Sequence, residues 1–356
     1  MATERVTRPL PEAARAAERA ARTSYGRLVA LLAARSGDLA LAEDALAGAF
    51  EQALTTWAAT GVPRNPDAWL LAVARNRQRD VWKSPAYRRS APLDELTEVA
   101  VSALDHPVHD PFAEIDPGAI PDRRLELLFV CAHPAIDPAA RTPLMLQAVL
   151  GYEAARIARA FAVPPVAMAQ RLVRAKRRIR DARIPFAVPG RDAVPERLPA
   201  VLEAVYGCYA LERSGPAALA GEARYLALLL AVLLPEEPET WGLAALVTLA
   251  SARRRLPGGR FVPLDEQDPR DWDADLIAEG QRYLRRGDAE RGAAPPGRFQ
   301  LEAAIQAVHC ARAQTRATDG PALLTLYRAL VRVAPSLGAR VALAGVRGQV
   351  EGPGAG

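Results

Sequence analysis

Apolar residues recur at intervals of three and four along most of the chain, and no run of alternating β-branched residues interrupts them. Residues 12–35 read as one amphipathic helix, with Tyr25, Leu28, Val29, Leu31 and Leu32 crowding one face. Gly37 breaks it, and Asp38 caps a second helix through about Trp57, on which Leu39, Ala42, Leu46, Ala49, Phe50, Ala53, Leu54 and Trp57 repeat. After the turn TGVPRNP, Asn65 caps a third helix with Pro66 at its first position, carrying Trp69, Leu70, Val73 and Ala74 towards Lys83. The period then fails. Pro85, Pro92, Pro107, Pro111, Pro117 and Pro121 punctuate an acidic stretch that reads as a linker.

Helices resume at about Asp122–Ala132 and Pro138–Leu150, and a helix pair follows on either side of Val163-Pro164-Pro165. Pro185, Pro189 and Pro195 mark the next boundary. Beyond it the pattern predicts helices over Leu198–Leu211, Ala217–Leu234, Glu237–Arg254, Arg270–Arg286, Arg298–Arg316 and Pro321–Val333. Such paired helices suit a helical-repeat array. Residues 287–297 read as loop, and the tail GQVEGPGAG is expected to fray. The reading is an all-α chain: a bundle over 1–84, a Pro-rich linker over 85–121, a helix-turn-helix over 122–185 and a repeat-like extension over 196–345.

Composition changes this picture in one place. The 356 residues are half apolar and 24% charged, with a net charge of +5, which is ordinary for a folded chain. From Asp122 to Arg183, however, twelve Lys or Arg face five Asp or Glu, an excess of seven. Only Lys83 and Lys176 are lysines. Arginine suits bidentate contact with phosphate or guanine, although in so Ala-rich a chain it also fits a GC-rich genome. Cys131, Cys208 and Cys310 are odd in number and widely spaced, so no disulfide framework is implied. The start lacks an apolar leader segment, and the longest apolar run, Leu226 to Leu234, is about half a membrane span. A soluble cytoplasmic protein without a membrane partner is expected.

The basic excess falls on the helix pair. A helix-turn-helix needs a small residue where its helices cross, an apolar lock and polar residues on the outer face of the second helix. Ala158 fits the crossing; Ile157, Phe161, Val163, Met168 and Leu172 fit the lock. Pro164 and Pro165 fix the start of the second helix. On it Ala167, Gln170, Arg171 and Arg174 project away from Met168 and Leu172. Gln and Arg can read base edges there, while Lys176, Arg177, Arg178 and Arg180 would neutralise phosphates. A basic rim that merely solvates a buried helix pair satisfies the same spacing.

The stretch LLFVCAHPAIDPAARTPLMLQAVLGYEAARIARAFAVPPVAMAQRLVRAKRRIRDARIPF resembles region 4 of extracytoplasmic-function (ECF) sigma factors, in the subgroup with a long helical C-terminal extension. YGRLVALLAARSGDLALAEDALAGAFEQALTTW and GVPRNPDAWLLAVARNRQRDVWK resemble region 2 of that family. LPEEPETWGLAALVTLASARR, LDEQDPRDWDADLIAEG and RFQLEAAIQAVHCA resemble the subgroup's extension. The likeness implies a promoter-recognition subunit whose partners are core RNA polymerase, promoter DNA and a small regulatory protein. Region 2 would dock on polymerase through Glu43, Asp44, Phe50 and Glu51. Arg75, Asn76, Arg77, Arg79, Asp80 and Lys83, with Trp82, would hold the −10 strand. Gln170, Arg171 and Arg174 would read the −35 element, with Lys176, Arg177 and Arg178 on phosphates. The extension would regulate the DNA-binding regions in cis.

Three departures support a second reading, a sigma-derived protein that no longer serves polymerase: a DNA-binding regulator, an interaction protein using the helical array or, last, a repurposed enzyme. Ala47-Gly48 stands where the family usually has Gln-Glu, SPAYRRS follows Lys83 in place of a basic run, and VYGCYALERSG lacks the extension's Asn-Glu pair. Enzyme chemistry finds little footing. His106 and His109, with Asp105 or Asp110, sit in the linker without further ligand spacing, and Cys131-x-His133 and His309-Cys310 read as core filling. No phosphate-binding or nucleophile-elbow motif occurs in a credible context. The acidic run Asp265–Asp275 reads as a capped loop, and Trp241 and Trp272 as packing anchors. No cofactor, metal or catalytic group is expected.

Overall fold

The computed structural model describes residues 11–84, 122–212, 221–253, 262 and 264–352. Among these, fifteen α-helices and no strands occur, so the chain is all-α. The chain divides into two units, Met1–Ala204 and Val205–Gly356. The linker 85–121, with its histidines, lies outside the described residues.

The first unit begins with α1 (Glu12–Thr23), α2 (Tyr25–Ser36), α3 (Leu39–Thr60) and α4 (Pro66–Lys83). The single helix expected over 12–35 is two. Thr23 Oγ1 donates to the Arg19 carbonyl at 3.0 Å, and Ser24 steps out of the helix, where its hydroxyl donates to Asp67 at 2.6 Å. Arg27 reaches the same carboxylate at 2.6 Å, so the break at Ser24 is tied to the first turn of α4. The caps are where the sequence puts them. Gly37 is left-handed at φ 64°, Asp38 accepts from the Leu41 N–H at 3.1 Å, and Asn65 accepts from the Ala68 N–H at 3.0 Å. Trp57 and Trp69 meet edge to face with ring centroids 5.4 Å apart, pinning α3 to α4.

The second half of this unit holds α5 (Arg124–Cys131), α6 (Pro138–Ala148), α7 (Ala154–Ala160) and α8 (Pro165–Asp181). Leu127 to Ala132 are all fully buried, which makes α5 the apolar centre of these helices. The α1–α4 bundle and this half pack directly on each other. A Cβ on Gly26 of α2 would stand 1.8 Å from the Val149 carbonyl oxygen, so only glycine permits that approach. The next helix, α9 (Val194–Glu212), contains the boundary between the units.

The second unit continues with α10 (Glu222–Leu233), α11 (Pro238–Ser251), α12 (Ala274–Arg291), α13 (Arg298–Thr315), α14 (Gly320–Val333) and α15 (Leu337–Glu351). Thr240 and Gly242 to Leu249 are all buried, so α11 is a core helix wrapped by α10, α12 and α13. Close approach rests on small residues. A Cβ on Gly242 would lie 2.7 Å from the Gln300 amide, and one on Gly280 would lie 2.6 Å from Leu249. Glu239 on α11 accepts from the Phe299 and Gln300 N–H groups, both at 3.0 Å, and so caps α13 from a neighbouring helix.

Two sequence expectations change here. The helix expected over Arg270–Arg286 starts at Ala274, where Asp273 caps it, and runs on to Arg291. Gly287 stays helical because it lies against Trp241, 3.1 Å from where its Cβ would be. Of the tail expected to fray, residues 348–351 close α15, while 353–356 lie outside the described residues. Ala339 and Val346 of α15 join Leu323 and Leu330 of α14 in one apolar cluster, and Ser336 caps the helix through the Ala339 N–H. The anchor reading of the tryptophans holds: Trp272 is buried, and Trp241 donates to the Pro235 carbonyl at 2.9 Å. Asp268 and Asp273 act as caps within the acidic run.

Candidate nucleic-acid interface

The turn between α7 and α8 is set by hydrogen bonds. Val163 donates to the Ala158 carbonyl at 2.9 Å and Ala162 to that of Arg159 at 3.2 Å, with Ala162 left-handed at φ 51°. That is the Schellman closure, built here on alanine instead of glycine. Pro164 then precedes α8, Pro165 opens it, and no side chain caps its first turn. Ile157, Ala158, Met168 and Leu172 are buried as the helix-turn-helix pattern requires. Phe161 is not: it stands 40% exposed, because the residue after α7 turns outward before the chain doubles back.

The buried side of α8 is Met168, Leu172, Ala175 and Ile179. Along the opposite side run Val166, Gln170, Val173 and Arg177, all exposed, with Arg174 beside them. The cations at the flanks are partly engaged. Arg171 donates to the Ala139 carbonyl and Arg178 to that of Ala135, each at 3.3 Å, which leans both guanidinium groups towards the start of α6. Arg180 lies 3.6 Å from Asp38 and 3.1 Å from Asp181.

Lys176 faces inward. Its ammonium pairs with Glu43 of α3, and the two side chains are 12% and 13% exposed. The candidate phosphate contact and the candidate polymerase contact therefore hold each other. Only one Glu43 oxygen is used; Oε1 has no partner among the described residues. Burial pushes the Glu43 carboxyl above the ordinary carboxylate range, outweighing the pull of Lys176. Tyr25 beside it is also pushed up, by burial first and then by Glu43 and Asp44.

On α4 the candidate −10 residues share one helix. Asn76, Arg77, Asp80 and Lys83 are exposed, whereas Arg75 and Arg79 are partly buried, with Asn76 accepting from Arg79 at 2.7 Å. Burial lowers the Arg75 pKa, and Arg35 adds to that. A shallow groove of about 350 Å³ lies along this face, lined by Gln52, Val73, Asn76, Arg77 and Asp80. Gly48 has a role in shaping it: its missing Cβ makes room for the Arg77 guanidinium, which would stand 2.6 Å away. On α3, Asp44 and Glu51 are exposed and Phe50 is half-buried.

Of the other candidate residues, the two cysteines are buried and the two histidines beside them half-buried. Cys131 is fully buried and its thiol is pushed up by burial, while His133 Nδ1 accepts from the Ala135 N–H at 3.1 Å. Cys310 is buried against the Leu249 carbonyl, and His309 is pulled down to about 4 by burial, with Arg253 and Arg312 adding to it. Among the described residues no group of His, Cys, Asp and Glu could hold a metal, and no helix is long and apolar enough to cross a membrane. Spacing alone had not singled out Val166 and Val173. Their signal was present as the 4-3-4 interval opposite the buried stripe.

The model of a family of unknown function, DUF6596, matches residues 197–288. The uncharacterized protein R00370 of Rhizobium meliloti (strain 1021) is 37% identical over 311 residues, which is 84% of this chain and 71% of that protein. The chain belongs to the R00370 family. No solved structure matches it. A match of 311 residues is longer than the whole chain from residue 197 to its C-terminus, so the family shares much of the first unit as well.

Proposed function

We propose that this R00370-family protein is a sigma factor of the ECF type, a subunit that brings core RNA polymerase to promoter DNA. The observation that carries the reading is the outer face of α8, where Gln170, Arg174 and Arg177 stand exposed on a helix locked from behind by Met168, Leu172, Ala175 and Ile179. The first turn of α8 has no side-chain cap; Pro165 carries no N–H and Met168 donates to the Pro164 carbonyl. The Val166 and Ala167 N–H groups are therefore the ones it presents, which favours a helix that enters a groove by its N-terminal end. Arg177 and Arg178 supply charge for phosphates, and Gln170 and Arg174 supply donors for base edges. On α4, Asn76 and Arg77, with Asp80, border a groove of a size to receive an unstacked base.

Two observations favour a second reading, a DNA-binding regulator that works without polymerase. Glu43 is held by Lys176, and Gly48 is given over to Arg77, so part of the proposed polymerase face serves the fold instead. Asp44, Phe50 and Glu51 remain for that partner. Run-off transcription with core polymerase, from the promoter upstream of the protein's own gene, separates the readings. A transcript that depends on the chain supports the sigma reading; DNA binding without transcript or co-elution with polymerase supports the second.

A further inference from the structure

The outer line of α8 contains more than its polar residues. Val166 is 70% exposed and Val173 is 48% exposed, one on each side of Gln170. All three lie opposite the buried stripe, so neither valine is part of the core that holds α7 to α8. A helix rim serving only to be solvated has no use for apolar side chains amid arginines, although a lone surface valine is ordinary. Here there are two, in register, on the one face whose charged neighbours are Arg174 and Arg177. Among the described residues of this stretch of α8, Asp181 at its end is the first acid.

We propose that Val166 and Val173 read the 5-methyl groups of thymines in the major groove. This rests on α8 meeting duplex DNA as proposed above, and adds what it reads there. In the major groove, thymine alone presents a methyl group, and an apolar side chain against it excludes water that a cytosine edge would keep. Gln170 between the valines has the donor and acceptor that match an adenine edge. Seven residues of helix separate the valines, a rise of about 10.5 Å. Over that length the helix covers at most about three base-pair steps of 3.4 Å. The preferred site therefore carries two A·T pairs no more than about three steps apart. The cations at the flanks hold the helix in place, and the valines select the sequence together with Gln170 and Arg174.

The test uses the full chain, alone and with core polymerase, to select duplexes from a randomised pool. Each thymine of the selected site is then replaced by deoxyuridine, which removes the methyl group and leaves base pairing intact. The expected result is a loss of roughly four-fold in affinity at each of two positions, the worth of one buried methyl group. Val166→Ser should abolish the response at one position and Val173→Ser at the other, with unchanged salt dependence. Both valines are exposed, so the variants should melt as the wild type does. Affinity indifferent to uracil, as expected if the valines serve a protein partner, would overturn this inference while leaving DNA binding standing. Variants that keep the methyl response would do the same. A chain that retains no duplex in either form overturns this inference and the DNA reading together.

Discussion

The Glu43–Lys176 pair ties α3 to α8 and is expected to cost stability, not supply it. Both side chains are almost closed off from water at 13% and 12% exposure, and Glu43 Oε1 finds no partner among the described residues. The upward shift of the Glu43 carboxyl has the same cause: desolvation exceeds the attraction of the ammonium. Lys176→Met alone strands a buried carboxylate and should destabilise by about 3–5 kcal/mol. That is a large part of the roughly 5–15 kcal/mol holding a typical domain together. Glu43→Leu with Lys176→Met replaces both charges by apolar groups and should be neutral or stabilising by about 1–4 kcal/mol. Urea unfolding of the wild type, both single variants and the double variant closes the cycle.

Acid adds a signed check on that pair. Because the native state binds the Glu43 proton more tightly than the unfolded state does, the group makes stability fall as pH rises from the ordinary carboxylate range through the raised native pKa. The double variant should lack that fall. If α8 meets DNA as proposed, binding should keep the wild-type salt slope, since Lys176 is paired with Glu43. A double variant as unstable as Lys176→Met, or a salt slope smaller by about one, would refute the reasoning.

Three further outcomes are expected from the geometry. Ala162→Gly should stabilise the first unit by about 0.5–1 kcal/mol, because glycine relieves the left-handed φ of 51° without removing a buried contact; a lowered melting temperature would count against it. Glu239→Ala should destabilise the second unit by about 1–2 kcal/mol, since two N–H groups of α13 lose their acceptor, and hydrogen exchange at Phe299 and Gln300 should quicken. His309 is held neutral down to about pH 4, so it withdraws stability as pH falls below about 6.5; thermal melts of His309→Gln should show a shallower loss over that window than the wild type.

What could be read from the sequence was local. Asp38, Asn65, Pro164 and Pro165 announce helix starts through their own backbone chemistry, and all four stand where that chemistry requires. The buried face of α8 follows from its period. What escaped depends on partners distant in the chain. Ser24 breaks the first helix for the sake of Asp67, 43 residues on, and Lys176 turns inward to Glu43, 133 residues back. Gly287 continues a helix because Trp241 packs on it, and α15 runs on to Glu351 because α14 offers Ala339 and Val346 an apolar surface. Gly48 shows the limit of reading a site from one motif: its lack of a side chain is answered by Arg77, on another helix. Tertiary contacts overrode local propensity at each of these places.

That the face of α8 directs polymerase to promoters is tested most directly by run-off transcription with purified core polymerase. The wild-type chain and Arg174→Ala/Arg177→Ala are compared, beside binding of the same duplex. The predicted result is a discrete transcript that requires the chain and is lost with the two arginines, while the variant still co-elutes with polymerase. Duplex binding by the wild type with no transcript, and no association with core polymerase, would contradict it.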